Sequence, residues 1–174
     1  MAASSQHPSR KPAPRGGADG LFYVYRTPHG PLTIRSEGNA ITDIALGEVA
    51  LPGTRKPSAA ANEAATQILE YLAGKRRSFD LELAPTGSAF QKLVWNALRE
   101  IPYGESLTCA DMARMLGRPG AHRSVGSAVR SNPLAIVVPA HRVVGATGAP
   151  LGSGRAADVK QALLRMERDL AFRS

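Results

Sequence analysis

One cysteine, Cys109, stands among 174 residues. A lone thiol excludes an internal disulfide framework and a cysteine-rich zinc site, so no metal is expected. Acidic side chains are also scarce. There are 14 Asp and Glu against 22 Lys and Arg, which gives a net charge of +8 and a pI of about 10.2. Such a surplus favours an anionic partner, nucleic acid being the commonest, although an unspecialised basic protein carries the same charge. No apolar run approaches the roughly 18 residues of a membrane span. The first 20 residues lack the apolar segment of a secretory signal. The chain is therefore expected in the cytoplasm, associated with the nucleoid in a bacterium, and away from membranes. A hydrophobic content of 43% and a mean hydropathy of −0.17 are ordinary for a globular protein. The length holds one medium domain or two small ones.

Composition divides the chain. Residues 1–20 are rich in Ser, Pro, Gly, Ala and basic groups, a mixture that cannot bury a core and predicts a disordered tail. Residues 21–85 read as a small α+β unit. Phe22 to Tyr25, Leu32 to Arg35 and Ile41 to Leu46 are strand candidates, and Pro28-His29-Gly30-Pro31 is a turn. Residues 49–58 form a Pro/Gly loop. Ala59 to Ala73 places Ala64, Ile68, Leu69 and Leu72 at helical spacing. Phe79, Leu81 and Leu83 alternate as a further strand. This unit holds no catalytic cluster, and its expected role is support.

Residues 86–174 read as helical. Ser88 can cap a helix running to about Arg99, and Thr108 a short one with Met112, Met115 and Leu116 inward. Gly117-Arg118-Pro119-Gly120 makes a turn into a second short helix, about Ala121 to Arg130. Helix, Gly-bearing turn, helix is a helix-turn-helix pattern. An irregular stretch follows over 131–154, then a last helix from about Ala156 to Leu170. The fold class expected is α+β: a sheet-plus-helix unit, then a helical domain with a helix-turn-helix.

Within the irregular stretch runs Pro139-Ala140-His141-Arg142-Val143-Val144, preceded by Asn132-Pro133 and followed by Glu167. Asn, His and Glu are groups that activate a nucleophile. The position before the His holds a methyl group, which cannot attack anything. The string reads as a reaction centre that has kept its scaffold and lost its chemistry.

These residues resemble the active-site segment of the O6-alkylguanine-DNA alkyltransferases, whose pattern is Pro-Cys-His-Arg-Val. Upstream, Gly87-Ser88-Ala89-Phe90-Gln91, Val94-Trp95, Leu98, Ile101-Pro102 and Gly104-Glu105 resemble the start of that family's C-terminal domain. Arg123-Ser124-Val125-Gly126-Ser127-Ala128 resembles its DNA-recognition helix. With Ala140 at the acceptor position, the chain is most similar to the alkyltransferase-like proteins. The resemblance implies that Glu167 orients His141 and that Asn132 orders the turn of the site. It implies a helix entering the minor groove through Ser124, Gly126, Ser127 and Ala128, whose small side chains serve helix packing equally well. Arg123 falls on the arginine that fills the gap left by an extruded base. Arg114, Arg118 and Arg130 are phosphate contacts or solvated charges. Cys109 stands where the family has a phosphate-contacting tyrosine, and Ser153-Gly154-Arg155 where it has Tyr-Ser-Gly. The expected base pocket is thus Cys109, Ala140, Ser153, Gly154 and Arg155, with Arg155 as a new wall or a solvated charge. Cys109, at a helix start, is either a relocated nucleophile or a small buried hydrophobe.

The function expected from these residues is a non-catalytic, monomeric protein that binds double-stranded DNA. It flips and holds alkylated guanine, without a cofactor, and marks the lesion for excision-repair proteins. Two alternatives remain open: an alkyltransferase inactivated by an engineered Cys-to-Ala change at Ala140, and a family member repurposed as an enzyme on a small molecule.

Overall fold

The computed structural model describes residues 19–173; of the expected tail, residues 1–18 lie outside them. The first unit is a four-stranded sheet in the order β3-β2-β1-β4. Its strands are β1 (Leu21–Thr27), β2 (Gly30–Glu37), β3 (Ala40–Leu46) and the short β4 (Thr54–Arg55). The first three are an antiparallel meander, and β4 lies parallel to β1. The turn into β2 closes on Gly30, whose φ of +98° suits a residue without Cβ.

Strand β2 is buried on both faces, which its alternation explains. Leu32 and Ile34 point to one side, and Thr33 and Arg35 to the other. The apolar side meets helix α1 (Ala59–Leu72). The polar side is covered by the loop predicted over residues 49–58. There Arg35 Nε donates to Pro52 O at 2.7 Å, and Thr33 Oγ1 both donates to Gly47 O and accepts from Val49 N. The fully buried guanidinium of Arg35 is compensated by Glu37 at 2.7 Å and Thr42 at 2.9 Å, as a buried charge must be.

Helix α1 is capped by Ser58, whose hydroxyl accepts from Ala61 N. Its inward face is Ala61, Ala64, Ala65, Ile68 and Tyr71. Leu69, expected on that face, is 42% exposed; at 100° per residue it lies off the stripe through Ala61, Ala64 and Ile68. The strand expected over Phe79 to Leu83 reduces to one bridge between Leu83 and Ile41. Its backbone is held instead by the buried Gln67 side chain, which donates to Asp80 O and accepts from Asp80 N.

The second half is α2 (Ala89–Arg99), α3 (Cys109–Met115), α4 (His122–Arg130) and α5 (Gly154–Ala171). A 3-10 turn lies at Ala140–Arg142, and β5 (Leu107–Thr108) pairs in parallel with β6 (Val143–Val144). Capping boxes, Ser88 with Gln91 and Thr108 with Asp111, start α2 and α3 where the sequence places them. Met115 is 57% exposed, against the inward position expected; Met112 and Ala113 fill that side of so short a helix. Trp95 Nε1 donates to Ala128 O at 2.8 Å and pins α2 to α4. The fold is α+β, as the sequence predicts. The two halves are joined by backbone pairing: Ile44 N donates to Pro133 O at 2.7 Å, and Ala135 N to Ile44 O at 3.1 Å.

Two glycines test how tightly the covering loop is built. Gly53 has φ +112°, and a Cβ there would lie 2.0 Å from Gly20 O, a backbone atom, whereas Gly38 has φ +57° and open space. Gly38→Ala should cost about 1 kcal/mol, for conformation alone. Gly53→Ala should cost more, about 2–4 kcal/mol, because strain and overlap combine. Thermal unfolding of both variants checks the order.

Candidate functional site

The organising group is Glu167 on α5, fully buried. Its Oε1 accepts from Tyr71 Oη at 2.6 Å, His141 Nε2 at 2.8 Å and Arg142 Nη2 at 2.8 Å. Its Oε2 accepts from Arg142 Nε at 2.9 Å and Gly104 N at 3.2 Å. One carboxylate thus joins α1, the 3-10 turn, the turn before β5 and α5. Burial by itself would raise its pKa. Hydrogen bonds from His141 and Arg142, and the charge of Arg142, outweigh that and hold the carboxyl far below the usual range. Burial pushes the His141 imidazole down, against the pull of Glu167.

These directions fix the tautomer. An ionised Glu167 only accepts, so His141 donates through Nε2, and Nδ1 carries the free lone pair. Tyr71 lies 3.3 Å from the same Nε2 and gives its proton to Glu167. Burial, and the nearby carboxylate, push the Tyr71 phenol well above its ordinary value. Arg142 donates to Ile101 O at 2.7 Å and is otherwise committed to Glu167. Asn132 closes the preceding turn: its Nδ2 donates to Val138 O at 2.9 Å and its Oδ1 accepts from Leu134 N at 3.0 Å. Ile136 in this loop has φ +72°, the one positive value among described non-glycine residues.

Ala140 and His141 form one wall of a cavity of about 410 Å³. Asn132, Arg130, Lys160 and Leu163 line it as well, and Asp43 to Leu46 of β3 close the opposite side. Of the expected pocket residues only Ala140 lies on this wall. Cys109 starts α3, half-buried against Gly126, with the Arg130 guanidinium beside the same glycine. Burial raises its thiol pKa, and Arg130 opposes the rise. Ser153 precedes α5 and makes no capping bond. Gly154 opens that helix, exposed. Arg155 lies against Gly30 in the β1–β2 turn, where a Cβ would meet its Nη2.

On α4, Arg123, Ser124, Ser127 and Arg130 are exposed, while Gly126 and Ala128 face the interior. Two site residues were not read from the sequence. Lys160 is two helical turns before Glu167 on the same face of α5, a spacing that could have found it. Tyr71 carries no such signal, because its partners are 70 and 96 residues away. Among the described residues no group of His, Cys, Asp and Glu is placed to hold a metal ion.

Residues 21–85 match the family described as 6-O-methylguanine DNA methyltransferase, ribonuclease-like domain, and residues 89–169 match its DNA binding domain. The chain belongs to the 6-O-methylguanine DNA methyltransferase family. The methylated-DNA–protein-cysteine methyltransferase of Mycobacterium tuberculosis is 41% identical over 158 residues, covering 84% of this chain and 93% of that protein. The one from Methanosarcina acetivorans is 51% identical over 105 residues, 60% of this chain and 67% of its own. The crystal structure of the M. tuberculosis O6-methylguanine methyltransferase superposes with a TM-score of 0.80 at 39% identity, over 86% of this chain and 93% of that one. A structure of the M. tuberculosis protein in complex with DNA has a TM-score of 0.79 at 39% identity, over 86% and 94% of the two chains.

These relatives correct the functional expectation. Proteins alike over nearly their whole length carry the name of methyltransferases, so the chain's kin are repair enzymes and not non-catalytic lesion binders. Neither alternative, engineered inactivation or a small-molecule enzyme, fits the relatives better.

Replacing Glu167 tests the network. Glu167→Gln leaves the Arg142 charge buried without its counter-charge and should cost about 3–5 kcal/mol in urea unfolding. Tyr71→Phe removes one donor and should cost about 1 kcal/mol. In unfolded chains His titrates near 6.5 and Glu near 4.3. Both are depressed in the fold, so protons bind the unfolded chain more readily. The stability each contributes is complete above its unfolded pKa and is lost as pH falls. The melting temperature should therefore decline from about pH 6.5 and again below about 4.3. His141→Asn should remove the upper step.

Proposed function

We propose that this chain acts in the repair of alkylated DNA. It binds the duplex through α3 and α4, turns an O6-alkylated guanine out of the stack, and receives the base in the cavity beside Ala140 and His141. The observation that carries this reading is the placement of that cavity. Arg130, the last residue of α4, stands in its wall, so the helix-turn-helix and the site loop share one surface. The exposed Ser124 and Ser127 leave α4 slim on its outer face, which suits close approach in a minor groove. Exposed Arg123, in the first turn of α4, is the residue that occupies the gap left by the base. The net charge of +8 supplies affinity for phosphates.

Alkyl transfer to protein makes a bond from a thiolate sulfur to the alkyl carbon. It breaks the carbon–O6 bond and leaves the electron pair on guanine, which takes up a proton. The Ala140 methyl has no lone pair for that step, and the sequence provides one thiol, Cys109, outside the cavity wall. The relatives' reaction therefore demands Cys109 of this chain. Incubation with a duplex carrying labelled O6-methylguanine, followed by peptide mass spectrometry, tests the demand. Label on Cys109, lost in Cys109→Ser, is the product that reaction predicts, and it would move the seat of the base from the cavity to the start of α3. Tight lesion binding with no label would restrict the reading to recognition of the base. Equal affinity for damaged and undamaged duplex would overturn the reading altogether.

Arg123→Ala should weaken lesion binding by roughly 1–3 kcal/mol, the scale of unstacking a base. Undamaged duplex should lose less, because the gap exists only when a base is out. Equal losses in an anisotropy titration would make Arg123 a phosphate contact.

A further inference from the structure

Alkyl transfer of the kind the relatives are named for ends on a thiol sulfur, and no thiol lines the cavity. The cavity does hold a base with an unused lone pair. His141 gives Nε2 to Glu167, and its Nδ1 has no partner among the described residues. Nor is Nδ1 sealed away. Among those residues the one enclosed side-chain polar atom without a partner is Tyr103 Oη. The 1% of the His141 side chain that stays exposed therefore includes Nδ1, and the space it meets is the cavity. The neighbouring Ala140 offers a single methyl group, so nothing of that residue engages the lone pair.

We infer that a low-molecular-weight thiol enters this cavity and takes the alkyl group, with His141 Nδ1 receiving its proton. The inference rests on the proposed function and adds the acceptor. The sulfur lone pair bonds to the alkyl carbon, and the carbon–O6 bond breaks. Its electron pair goes to guanine, which is made neutral by the proton that His141 took. Thiol and O6-alkylguanine thus become thioether and guanine, with nothing oxidised or reduced and no mark left on the protein. Basicity selects a thiol over water. A thiol pKa lies about two units above that of imidazole, and water about nine. Burial keeps His141 neutral and able to accept, and Glu167, 2.8 Å from Nε2, meets the charge that forms. The local field adds little, since Lys160 favours a thiolate and Asp43 in the same lining opposes it. The volume of about 410 Å³ lies within the range of pockets that enclose whole small ligands, the size of a base and a short thiol together.

The test incubates the full chain, at a concentration well below that of the duplex, with labelled O6-methylguanine DNA and 2-mercaptoethanol. Duplex and thiol without protein give the background. Methylated 2-mercaptoethanol should accumulate severalfold beyond the protein present, at a rate proportional to thiol, while the protein keeps its mass. His141→Asn should lower that rate about a hundredfold, the lower end for general-base catalysis, while lesion binding in an anisotropy titration persists. An unchanged rate in a variant that still binds the lesion would overturn the inference. So would tight lesion binding by the native chain with no methylated thiol above background, or label on Cys109 with none on the thiol. Both of these are read on the native chain and need no variant to fold. If the O6-methylguanine duplex binds no better than plain guanine, the proposed function fails first and the inference with it.

Discussion

Five hydrogen bonds converge on one buried carboxylate, and the shape of the second half depends on them. Glu167 gathers donors from α1, the 3-10 turn and the turn at Gly104, none of them its neighbours in sequence. A carboxylate out of water is tolerated only when its lone pairs are filled and its charge is met. Here Arg142 meets the charge, and Arg142 in turn anchors Ile101 O. The site loop is therefore held at one end by an ion pair and at the other by the Asn132 side chain. Between these fixings Ala140 and His141 have little freedom. That rigidity is what a binding or reacting surface requires.

The basic surplus is spread unevenly over this frame. Arg35 and Arg142 are spent inside the protein, each matched by carboxylates. Arg123 and Arg130 are exposed on α4, and Lys160 lines the cavity together with Arg130. Net charge alone predicts an anionic partner but not its location.

Much of the fold could be read from local signals. Ser88 and Thr108 announce α2 and α3 because a capping box is a short-range device, complete within four residues. The meander of β1, β2 and β3 follows from alternation and Gly turns. Failures arose where a distant partner decides. The strand expected at Phe79 to Leu83 gave way to a side-chain clamp from Gln67. Leu69 was placed inward on hydrophobicity, although it lies off the stripe through which Ile68 and Tyr71 are buried. In the site, the His141–Glu167 pair followed from the motif, whereas Lys160 and Tyr71 did not. Of the residues expected to line the pocket, Cys109 lies beside Gly126, Ser153 and Gly154 at the start of α5, and Arg155 against the β1–β2 turn. Function was read from one missing sulfur, and relatives at 41% identity over 93% of their length weigh more.

The N-terminal unit is more than the support expected of it, since β3 forms a wall of the cavity and α1 supplies Tyr71. The gap between β3 and the site loop is spanned by main-chain bonds at Ile44, Pro133 and Ala135. Its gauge is thus set by peptide groups common to nearly every residue type, not by the identity of any side chain. Substitutions along the wall can change charge, bulk and polarity while the spacing stays constant. A frame of fixed width with exchangeable facing lets descendants of one protein alter what the cavity accepts without having to refold.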